Sequence, residues 1–305
     1  MIDPKELLKA FLKEKISFFS GVPDSVLRNF TELLDSNKKI KHIVGVNEGS
    51  SLSINIGNYL STKKLGLVYL QNSGLGNIVN PIVSVADKEV YSIPIVLLIG
   101  WRGAPNTKDE PQHLTQGKIT RKLLKILKIK YCEISASSDL FKIRRIINYS
   151  KKNKVPVAVL IKKGKISENK IFLDNLKLEK GINRKSFLEN LLKKINKTDR
   201  VISTTGYTSR EIFQIRKLNK KLNGKDFYMV GGMGHAGSVA LGFSIKQKIN
   251  KNVICIDGDG SFLMHMGSQL TISNYSNKNF KYVLLNNNCH ESVGVQKTFA
   301  NNIDF

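Results

Sequence analysis

The chain has 305 residues, of which 41% are hydrophobic and 24% are charged. These proportions are typical of a globular protein, and the length leaves room for two domains that each have a core. No apolar run approaches the ~20 residues that a membrane-spanning helix needs. The amphipathic segment at residues 1–15 contains acids, unlike a signal or transit peptide. The sequence therefore predicts a cytoplasmic protein with no membrane partner.

The formal net charge is +25, from 49 Lys and Arg residues against 24 Asp and Glu residues. The excess is nearly all lysine and is spread through every predicted helix and loop. Proteins that bind nucleic acids instead cluster their basic residues on one face or arm, so no nucleic-acid partner is expected. A positive field of this kind can still raise the encounter rate with a small anionic substrate.

Helix and strand patterns alternate along the first half of the chain. Helices are predicted over residues 4–15, from a cap at Asp24 or Ser25 through Leu34, and over small residues up to Leu60. Strands are predicted at residues 18–19, 42–46, 67–70, 94–99 and 156–161. Near-continuous apolar strands separated by helices predict a parallel sheet that is covered on both faces.

The second half repeats this pattern after a polar segment without periodicity. That segment, residues 166–181, is predicted to be a linker between a domain at 1–165 and a domain at 182–305. The second domain has predicted helices at 186–195, 209–218 and up to Lys248, and predicted strands at 201–204, 227–230, 252–256 and 282–285. We predict two similar doubly wound parallel-sheet α/β domains.

Polar residues follow the last two predicted strands. The first strand runs into residues 257–261 (DGDGS), and the next delivers residues 286–288 (NNN). A carboxylate and a carboxamide at neighbouring strand ends can hold Mg²⁺ or Ca²⁺, with positions left for phosphate oxygens. The glycines allow close approach, and a helix beginning at Ser261 offers free N–H groups. A tight turn before an Asn-rich surface loop is the alternative, but the spacing favours a metal–diphosphate site.

The first half also has polar clusters at its strand ends. They contain Asp24, Glu48, the turn at residues 72–74 and the loop at residues 100–113. Singly, Asp24 could cap a helix, Glu48 could be a solvated acid at a helix start, and His113 could be a surface loop residue. Ligands of open α/β sheets bind at the carboxyl ends of strands, which favours a binding edge formed by all four.

Residues 258–260 followed by 286–287 resemble the fingerprint of the thiamine-diphosphate (ThDP)-dependent 2-oxo acid decarboxylases. Almost the whole chain resembles the phosphonopyruvate decarboxylases in that family, and the sulfopyruvate decarboxylases share much of the pattern. The segments that carry the resemblance are FFSGVPDSVL (18–27), NEG (47–49), VYLQNSGLGNIVNP (68–81), YSIPIVLLIGWRG (91–103), DEPQHLTQG (109–117), STTGYTSRE (203–211), GGMGHAGSVALG (231–242) and GDGSFLMHMGS (258–268).

The resemblance implies a pyrimidine-binding domain followed by a diphosphate-binding domain, with ThDP and Mg²⁺ as cofactors. It implies that Asp259, Asn287 and the main-chain carbonyl of Cys289 bind the metal, with Asn286 as an alternative to Asn287. Met233 matches the bulky residue over which ThDP bends. The other implied cofactor contacts are Ser73, Thr205, Gly206, Gly232, Gly234, His235, Gly258, Gly260 and Ser261.

The resemblance also implies the catalytic roles. Glu48 would hydrogen-bond the aminopyrimidine of ThDP and relay the proton that activates the cofactor. Asp24 and His113 resemble acid–base residues on the substrate side. His290, Ser292 and Arg102 are candidates for binding the acidic end of the substrate, and Arg102 could equally brace its loop.

The implied function is decarboxylation of 3-phosphonopyruvate to phosphonoacetaldehyde and CO₂, on a route to phosphonates such as 2-aminoethylphosphonate. Sulfopyruvate decarboxylation is the alternative. A homodimer or a dimer of dimers is expected, because in this family the two domains of one site come from different subunits. The chain stops at Phe305, earlier than the family pattern, so the second domain is expected to be incomplete at its C-terminus. An inactive homologue that serves dimerisation or regulation is therefore the alternative of another class.

Overall fold

The computed structural model describes residues 1–168, 181–293 and 296–305. The chain forms two compact units, Met1–Asn175 and Leu176–Phe305. Most of the predicted linker, residues 169–180, lies outside the described residues. In its described part, Ile166 is buried and forms a β-bridge with Ile2. No helix among the described residues is long and apolar enough to cross a membrane.

The first unit contains a six-stranded parallel sheet with the strand order β2-β1-β3-β4-β6-β5. Central strands β3, β4 and β6 are buried almost throughout, whereas edge strands β2 and β5 are partly exposed. The sequence pattern does not predict β5, because its polar side chains interrupt the apolar run. The strands are β1 (Phe18–Gly21), β2 (Lys41–Val44), β3 (Leu67–Gln71), β4 (Val96–Trp101), β5 (Lys130–Ile134) and β6 (Val157–Lys162).

Two hydrophobic cores cover opposite faces of this sheet. Leu67 and Tyr69 of β3 belong to one core, and Val68 and Leu70 belong to the other, as expected for a strand whose alternate residues face opposite sides. The prediction of two covered faces is thereby confirmed. The helices that cover them are α1 (Pro4–Lys13), α2 (Arg28–Ser36), α3 (Glu48–Thr62), α4 (Leu75–Pro81), α5 (Pro111–Ile126) and α6 (Phe141–Asn153).

The start of α2 differs from the prediction that Asp24 or Ser25 caps it. The helix begins at Arg28, and its N-cap, Leu27, makes no capping bond through its side chain. Oδ2 of Asp24 instead accepts hydrogen bonds from the N–H groups of Val26 and Leu27, at 3.1 and 3.2 Å. Asp24 therefore stabilises the turn that precedes the helix, which leaves its carboxyl group inside the fold.

The second unit contains a four-stranded parallel sheet with the strand order β10-β9-β7-β8 and a short antiparallel pair, β11 and β12. The helix predicted from Ser261 begins at Asp259, so this carboxylate lies in the first helical turn. The strands are β7 (Arg200–Ser203), β8 (Phe227–Tyr228), β9 (Val253–Gly258), β10 (Phe280–Leu285), β11 (Cys289–His290) and β12 (Gln296–Lys297). The helices are α7 (Arg184–Lys194), α8 (Tyr207–Leu218), α9 (Ala236–Ile245), α10 (Asp259–Met264) and α11 (Ser268–Tyr275).

Candidate active site

Glu48 is held in the first turn of α3. The side chain of Asn47 caps this helix by accepting from the N–H of Gly49 at 2.8 Å, and Glu48 itself is only 5% exposed. The side-chain NH₂ of Asn77 donates to Oε2 of Glu48 at 2.7 Å. On the other side, a Cβ atom at Gly74 would lie 2.3 Å from Oε1 of Glu48, so a larger residue there would displace the Glu48 side chain. The carboxylate is therefore fixed from two directions.

Asp24 lies under the end of β4. It is 1% exposed, and a Cβ atom at Gly100 would lie 1.8 Å from its Oδ2. Its other oxygen, Oδ1, has no hydrogen-bond partner in the part of the chain that the structure describes. Burial raises the pKa of Asp24 to about 6, against the lowering effect of the Val26 and Leu27 amides and of Arg102. The group can therefore hold a proton close to neutral pH.

Arg102 is paired within its own loop. Its Nε and Nη2 atoms donate to the two carboxylate oxygens of Asp109 at 2.8 and 2.6 Å, and Nη1 donates to Oγ of Ser25 at 3.1 Å. The side chain of Asn72 accepts from the N–H of Arg102 and donates both to its carbonyl and to Thr120. The sequence left two roles open for Arg102, substrate contact and loop brace. In the structure, Arg102 braces the loop.

His113 and Ser73 lie at the same end of the sheet. His113 is partly buried in the first turn of α5, and burial, then the charge of Arg102, lowers its pKa below the usual 6.5. Ser73 is exposed and accepts a hydrogen bond from the side chain of Gln71 at 2.7 Å. The predicted site residues of the first unit therefore lie after the carboxyl ends of β1, β3 and β4 and at the starts of α3 and α5.

In the second unit, the ends of β9 and β10 bring Asp259 and Asn287 together. The two strands pair in parallel up to Gly258 and Leu285, so the residues that follow are neighbours. Asp259 is 3% exposed and accepts hydrogen bonds from the main-chain N–H of Asn287 and from the hydroxyl of Thr298. Burial raises the pKa of Asp259 above 3.8, against these hydrogen bonds. The sequence gives no signal for Thr298, which reaches the site through the β11–β12 pair.

The Asn cluster forms a turn with internal hydrogen bonds. Oδ1 of Asn287 accepts from the N–H of Cys289 at 3.2 Å, and Nδ2 of Asn287 donates to Glu291 at 3.3 Å. Oδ1 of Asn286 accepts from the N–H of Asn288 at 3.0 Å. Oδ1 of Asn288 is buried and has no hydrogen-bond partner among the described residues.

Ser261 connects the glycine-rich loop at residues 231–235 with the end of β7. Its Oγ accepts from the N–H of Gly234 at 2.9 Å and from the hydroxyl of Thr204 at 3.0 Å. Gly234 has a φ of +89°, and a Cβ atom there would lie 2.4 Å from the ring of His265. The ring of His265 lies 4.6 Å from that of His235. Thr204 and His265 were not predicted as site residues.

His290 and Ser292 lie in this unit beside the predicted cofactor residues. A Cβ atom at Gly260 would lie 2.6 Å from Cε1 of His290, so the imidazole covers this glycine. Burial lowers the pKa of His290 to about 4, which leaves the ring neutral at pH 7. A Cβ atom at Gly206 would lie 3.9 Å from Oγ of Ser292. The remaining cofactor candidates are half-buried or exposed: Thr205, Gly232, Met233, His235 and Gly258.

The groups around Asp259 fit a hard divalent cation. Asp259 is a buried carboxylate for which the described residues supply no ion pair, and an unpartnered carboxamide oxygen of Asn288 lies in the adjacent turn. No cluster of three or more His, Cys, Asp or Glu side chains occurs in the described ranges. A metal here would therefore depend on one carboxylate together with amide and carbonyl oxygens, which are ligands that Mg²⁺ accepts.

Comparison with known proteins gives matches over both units. Residues 4–124 match the profile "Thiamine pyrophosphate enzyme, N-terminal TPP binding domain", and residues 204–303 match the corresponding C-terminal TPP binding domain. A phosphonopyruvate decarboxylase of Streptomyces viridochromogenes is 30% identical over 320 residues, covering 100% of this chain and 78% of its own. A phosphonopyruvate decarboxylase of Streptomyces hygroscopicus is 29% identical over 322 residues, and the match covers 100% of this chain and 77% of that protein.

A sulfopyruvate decarboxylase of Methanosarcina acetivorans is 26% identical over 322 residues, covering 98% of this chain and 80% of its own. Among solved structures, benzoylformate decarboxylase from Polynucleobacter necessarius aligns with a TM-score of 0.42 at 13% identity. That alignment covers 84% of this chain and 44% of the solved one. On the sequence matches, the chain belongs to the thiamine-diphosphate-dependent decarboxylase family that includes the phosphonopyruvate decarboxylases, and its reaction class is that of a carboxy-lyase.

Proposed function

We propose that this chain converts 3-phosphonopyruvate to phosphonoacetaldehyde and CO₂, with ThDP and Mg²⁺ as cofactors, in phosphonate (2-aminoethylphosphonate) biosynthesis. The observation that carries the choice of substrate is the match of the whole chain to two phosphonopyruvate decarboxylases at 29% and 30% identity. Sulfopyruvate decarboxylation is the second candidate, because a relative with that activity also matches nearly the whole chain, at 26% identity.

The residues around Asp259 would hold the metal and the diphosphate. Asp259, Asn287 and the carbonyl of Cys289 would bind Mg²⁺, with Asn286 as the alternative amide. When bound, ThDP supplies the electron sink for the electron pair that is released with CO₂. Glycine residues and small hydroxyl groups would let the cofactor approach the main chain. These cofactor contacts are Thr205, Gly206, Gly232, Met233, Gly234, His235, Gly258, Gly260 and Ser261, with Ser73 from the first unit.

Glu48 would move the activating proton. Its Oε2 is engaged by Asn77 at 2.7 Å, so Oε1 is the atom that would exchange a proton with the aminopyrimidine. Its burial excludes water, which keeps the proton on this route. In the family the two units of one site come from different subunits, so we propose a homodimer or a dimer of dimers.

Asp24 and His113 would serve the substrate. Oδ1 of Asp24 has no hydrogen-bond partner among the described residues, and burial raises the pKa of Asp24 to about 6. It can therefore deliver a proton to the substrate carbon near neutral pH. His113, whose pKa is lowered by burial and by Arg102, would be neutral and could accept a hydrogen bond. His290 and Ser292 would contact the acidic end of the substrate, whereas Arg102 is already paired with Asp109.

A steady-state comparison of phosphonopyruvate and sulfopyruvate tests this function. The purified chain with ThDP and Mg²⁺ is expected to release CO₂ from phosphonopyruvate with a kcat/KM at least about tenfold higher than from sulfopyruvate. A difference of ~1.4 kcal/mol in transition-state binding between the two substrates produces a ratio of this size. Faster turnover of sulfopyruvate would select the second candidate. Turnover of neither substrate, with ThDP bound, would favour a dimerisation or regulatory role.

Glu48→Gln is the negative control for this assay. Loss of the proton relay is expected to lower kcat by roughly 10²- to 10⁴-fold. Calorimetric affinity for ThDP and Mg²⁺ should stay within several-fold, because the metal residues are untouched. Glu133→Gln is the matched control, since Glu133 pairs with Arg121 and has no proposed role in the site. Full activity of Glu48→Gln would contradict the proposed mechanism.

A further inference from the structure

Asp109 is buried at the centre of a charged cluster whose function the proposed mechanism leaves open. Its side chain is 0% exposed, and its two oxygens accept from Nε and Nη2 of Arg102 at 2.8 and 2.6 Å. The main-chain N–H groups of Gly103 and Glu110 also donate to it, at 2.8 and 2.9 Å. Nζ of Lys163 lies 3.5 Å away. A carboxylate with this many donors fixes its surroundings strongly.

The Arg102 guanidinium pairs with one acid and acts through its charge on a second. One is Asp109, and the other is Asp24, whose neighbour Ser25 accepts from Nη1 of Arg102 at 3.1 Å. Asp24 has an oxygen without a hydrogen-bond partner among the described residues. A guanidinium released from Asp109 would keep Asp24 as its remaining acidic neighbour, because Nη1 already bonds the adjacent Ser25 and the charge of Arg102 already lowers the pKa of Asp24. A planar, always charged group pairs readily with such a partner.

Asp109 also fixes the main chain that carries His113. Its hydrogen bond to the N–H of Gly103 holds a residue with a φ of +63°, against which the carbonyl of His113 packs. A Cβ atom at Gly103 would lie 1.8 Å from that carbonyl oxygen. The hydrogen bond from the N–H of His113 to the carbonyl of Glu110, at 2.9 Å, closes the turn. The start of α5 thus depends on the loop that Asp109 holds.

We propose that Asp109 is a positioning residue: it holds the Arg102 guanidinium away from Asp24 and fixes the loop that carries His113. The link to catalysis rests on the proposed function, because Asp24 and His113 have their roles only there. The charged groups around the cluster are Arg102, Lys163, Glu110 and His113, and of these Arg102 is the one that acts on Asp24.

The first test measures Asp24 directly in the full chain. Aspartate labelled with ¹³C at the carboxyl carbon would be titrated by NMR, and the Asp24 signal assigned by its loss in Asp24→Asn. In Asp109→Asn the released Arg102 is expected to lower the pKa of Asp24 by about 1 unit or more, the size of effect that a nearby opposite charge produces. Asp109→Glu, which keeps the carboxylate, should restore most of the original value. An unmoved Asp24 signal in Asp109→Asn would overturn the inference.

The second test measures the pH dependence of kcat in the holoenzyme. If Asp24 acts as an acid, a pKa lowered by about 1 unit reduces the protonated fraction at pH 7, and therefore kcat, roughly tenfold. Asp139→Asn is the matched control, because Asp139 also braces a loop through two N–H groups and a lysine, without a proposed role in the site. If the pKa of Asp24 measured by NMR shifts in Asp109→Asn while the pH dependence of kcat does not, Asp109 holds Arg102 as proposed, but Asp24 is not the catalytic acid.

A further variant covers the case in which Asp109→Asn does not fold. Arg102→Gln removes the guanidinium and leaves Asp109 with its main-chain donors and Lys163. The pKa of Asp24 is then expected to rise, because the charge that lowers it is gone. An Asp24 titration unchanged in Arg102→Gln would show that Arg102 does not act on Asp24, and the inference would fail.

Discussion

Burial imposes a free-energy cost on the Asp24 carboxylate that is absent when the group is protonated. The usual pKa of 3.8 is raised to about 6 in the folded chain, so the folded state binds the proton more tightly than the unfolded state. Below about pH 4 both states are protonated and the cost vanishes, whereas above pH 6 it is fully present. Linkage gives a cost of about 3 kcal/mol at pH 7.5.

Replacing Asp24 with Asn is therefore expected to stabilise the protein at pH 7.5 by up to about 3 kcal/mol, and by less as the pH falls towards 4. The amide oxygen can still accept from the Val26 and Leu27 amides. Urea denaturation at several pH values would measure this difference. Asp199→Asn is the control, because Asp199 is buried but accepts N–H groups through both of its oxygens. An equal gain in the free energy of unfolding in both variants would contradict the explanation by burial of the Asp24 charge.

At the scale of single residues, the sequence identifies those whose spacing along the chain is fixed by a motif. The proximity of Asp259 and Asn287 follows from two parallel strands that end side by side, and the structure shows this geometry. Thr298 and His265 could not be found in this way, because they reach the site through loops whose course depends on tertiary packing. The choice between substrate contact and loop brace for Arg102 stays open in the sequence for the same reason, and the sequence does not indicate Asp109 as its partner.

At the scale of elements, α5 is held against the end of β4 by the close approach of two glycines. A Cβ atom at Gly117 would lie 1.6 Å from the carbonyl oxygen of Gly103, and Trp101 donates its indole N–H to the carbonyl of Gly117 at 3.0 Å. The carbonyl of Gly103 belongs to the main chain, so it cannot make room for a Cβ atom at Gly117 as a flexible side chain would. The position of His113 therefore depends on a contact that admits no methyl group.

Gly117→Ala is expected to destabilise the protein by about 3 kcal/mol and to lower activity, because overpacking here displaces the main chain of α5. Gly57→Ala is the matched control: Gly57 also lies inside a helix, α3, and a Cβ atom there meets nothing within 4 Å. It should gain roughly 0.5–1 kcal/mol from helix propensity. Thermal and urea unfolding would measure both changes. Equal effects of the two substitutions would rule out the packing argument.

The strands with continuous apolar runs are predicted to within one or two residues, whereas one edge strand of the first sheet is not predicted. The central strands β3, β4 and β6 lie within one or two residues of their predicted positions, because burial on both faces requires apolar side chains throughout. The edge strand β5 (KYCEI) exposes part of its surface and was missed. The sequence also does not reveal that α10 begins at Asp259 rather than Ser261, since a Gly-Asp-Gly run gives weak helix signals.

At the scale of the whole molecule, the net charge of +25 has a consequence for substrate encounter. The proposed substrate carries a carboxylate and a phosphonate, so a positive field should accelerate its approach. Salt screens this attraction, because the Debye length falls from ~30 Å at 0.01 M to ~8 Å at 0.15 M ionic strength. Because the lysines are spread along the sequence, this long-range effect does not depend on one basic cluster.

The kcat/KM for phosphonopyruvate is therefore expected to fall several-fold between 0.01 and 0.3 M ionic strength, mainly through KM. The inhibition constant of pyruvate, which has one negative charge and no phosphonate, should change less over the same range. Both values can be measured in one series with NaCl, with ThDP and Mg²⁺ kept saturating so that cofactor loss does not contribute. If the two ligands respond equally to salt, screening acts on something other than the phosphonate charge, and the steering argument fails.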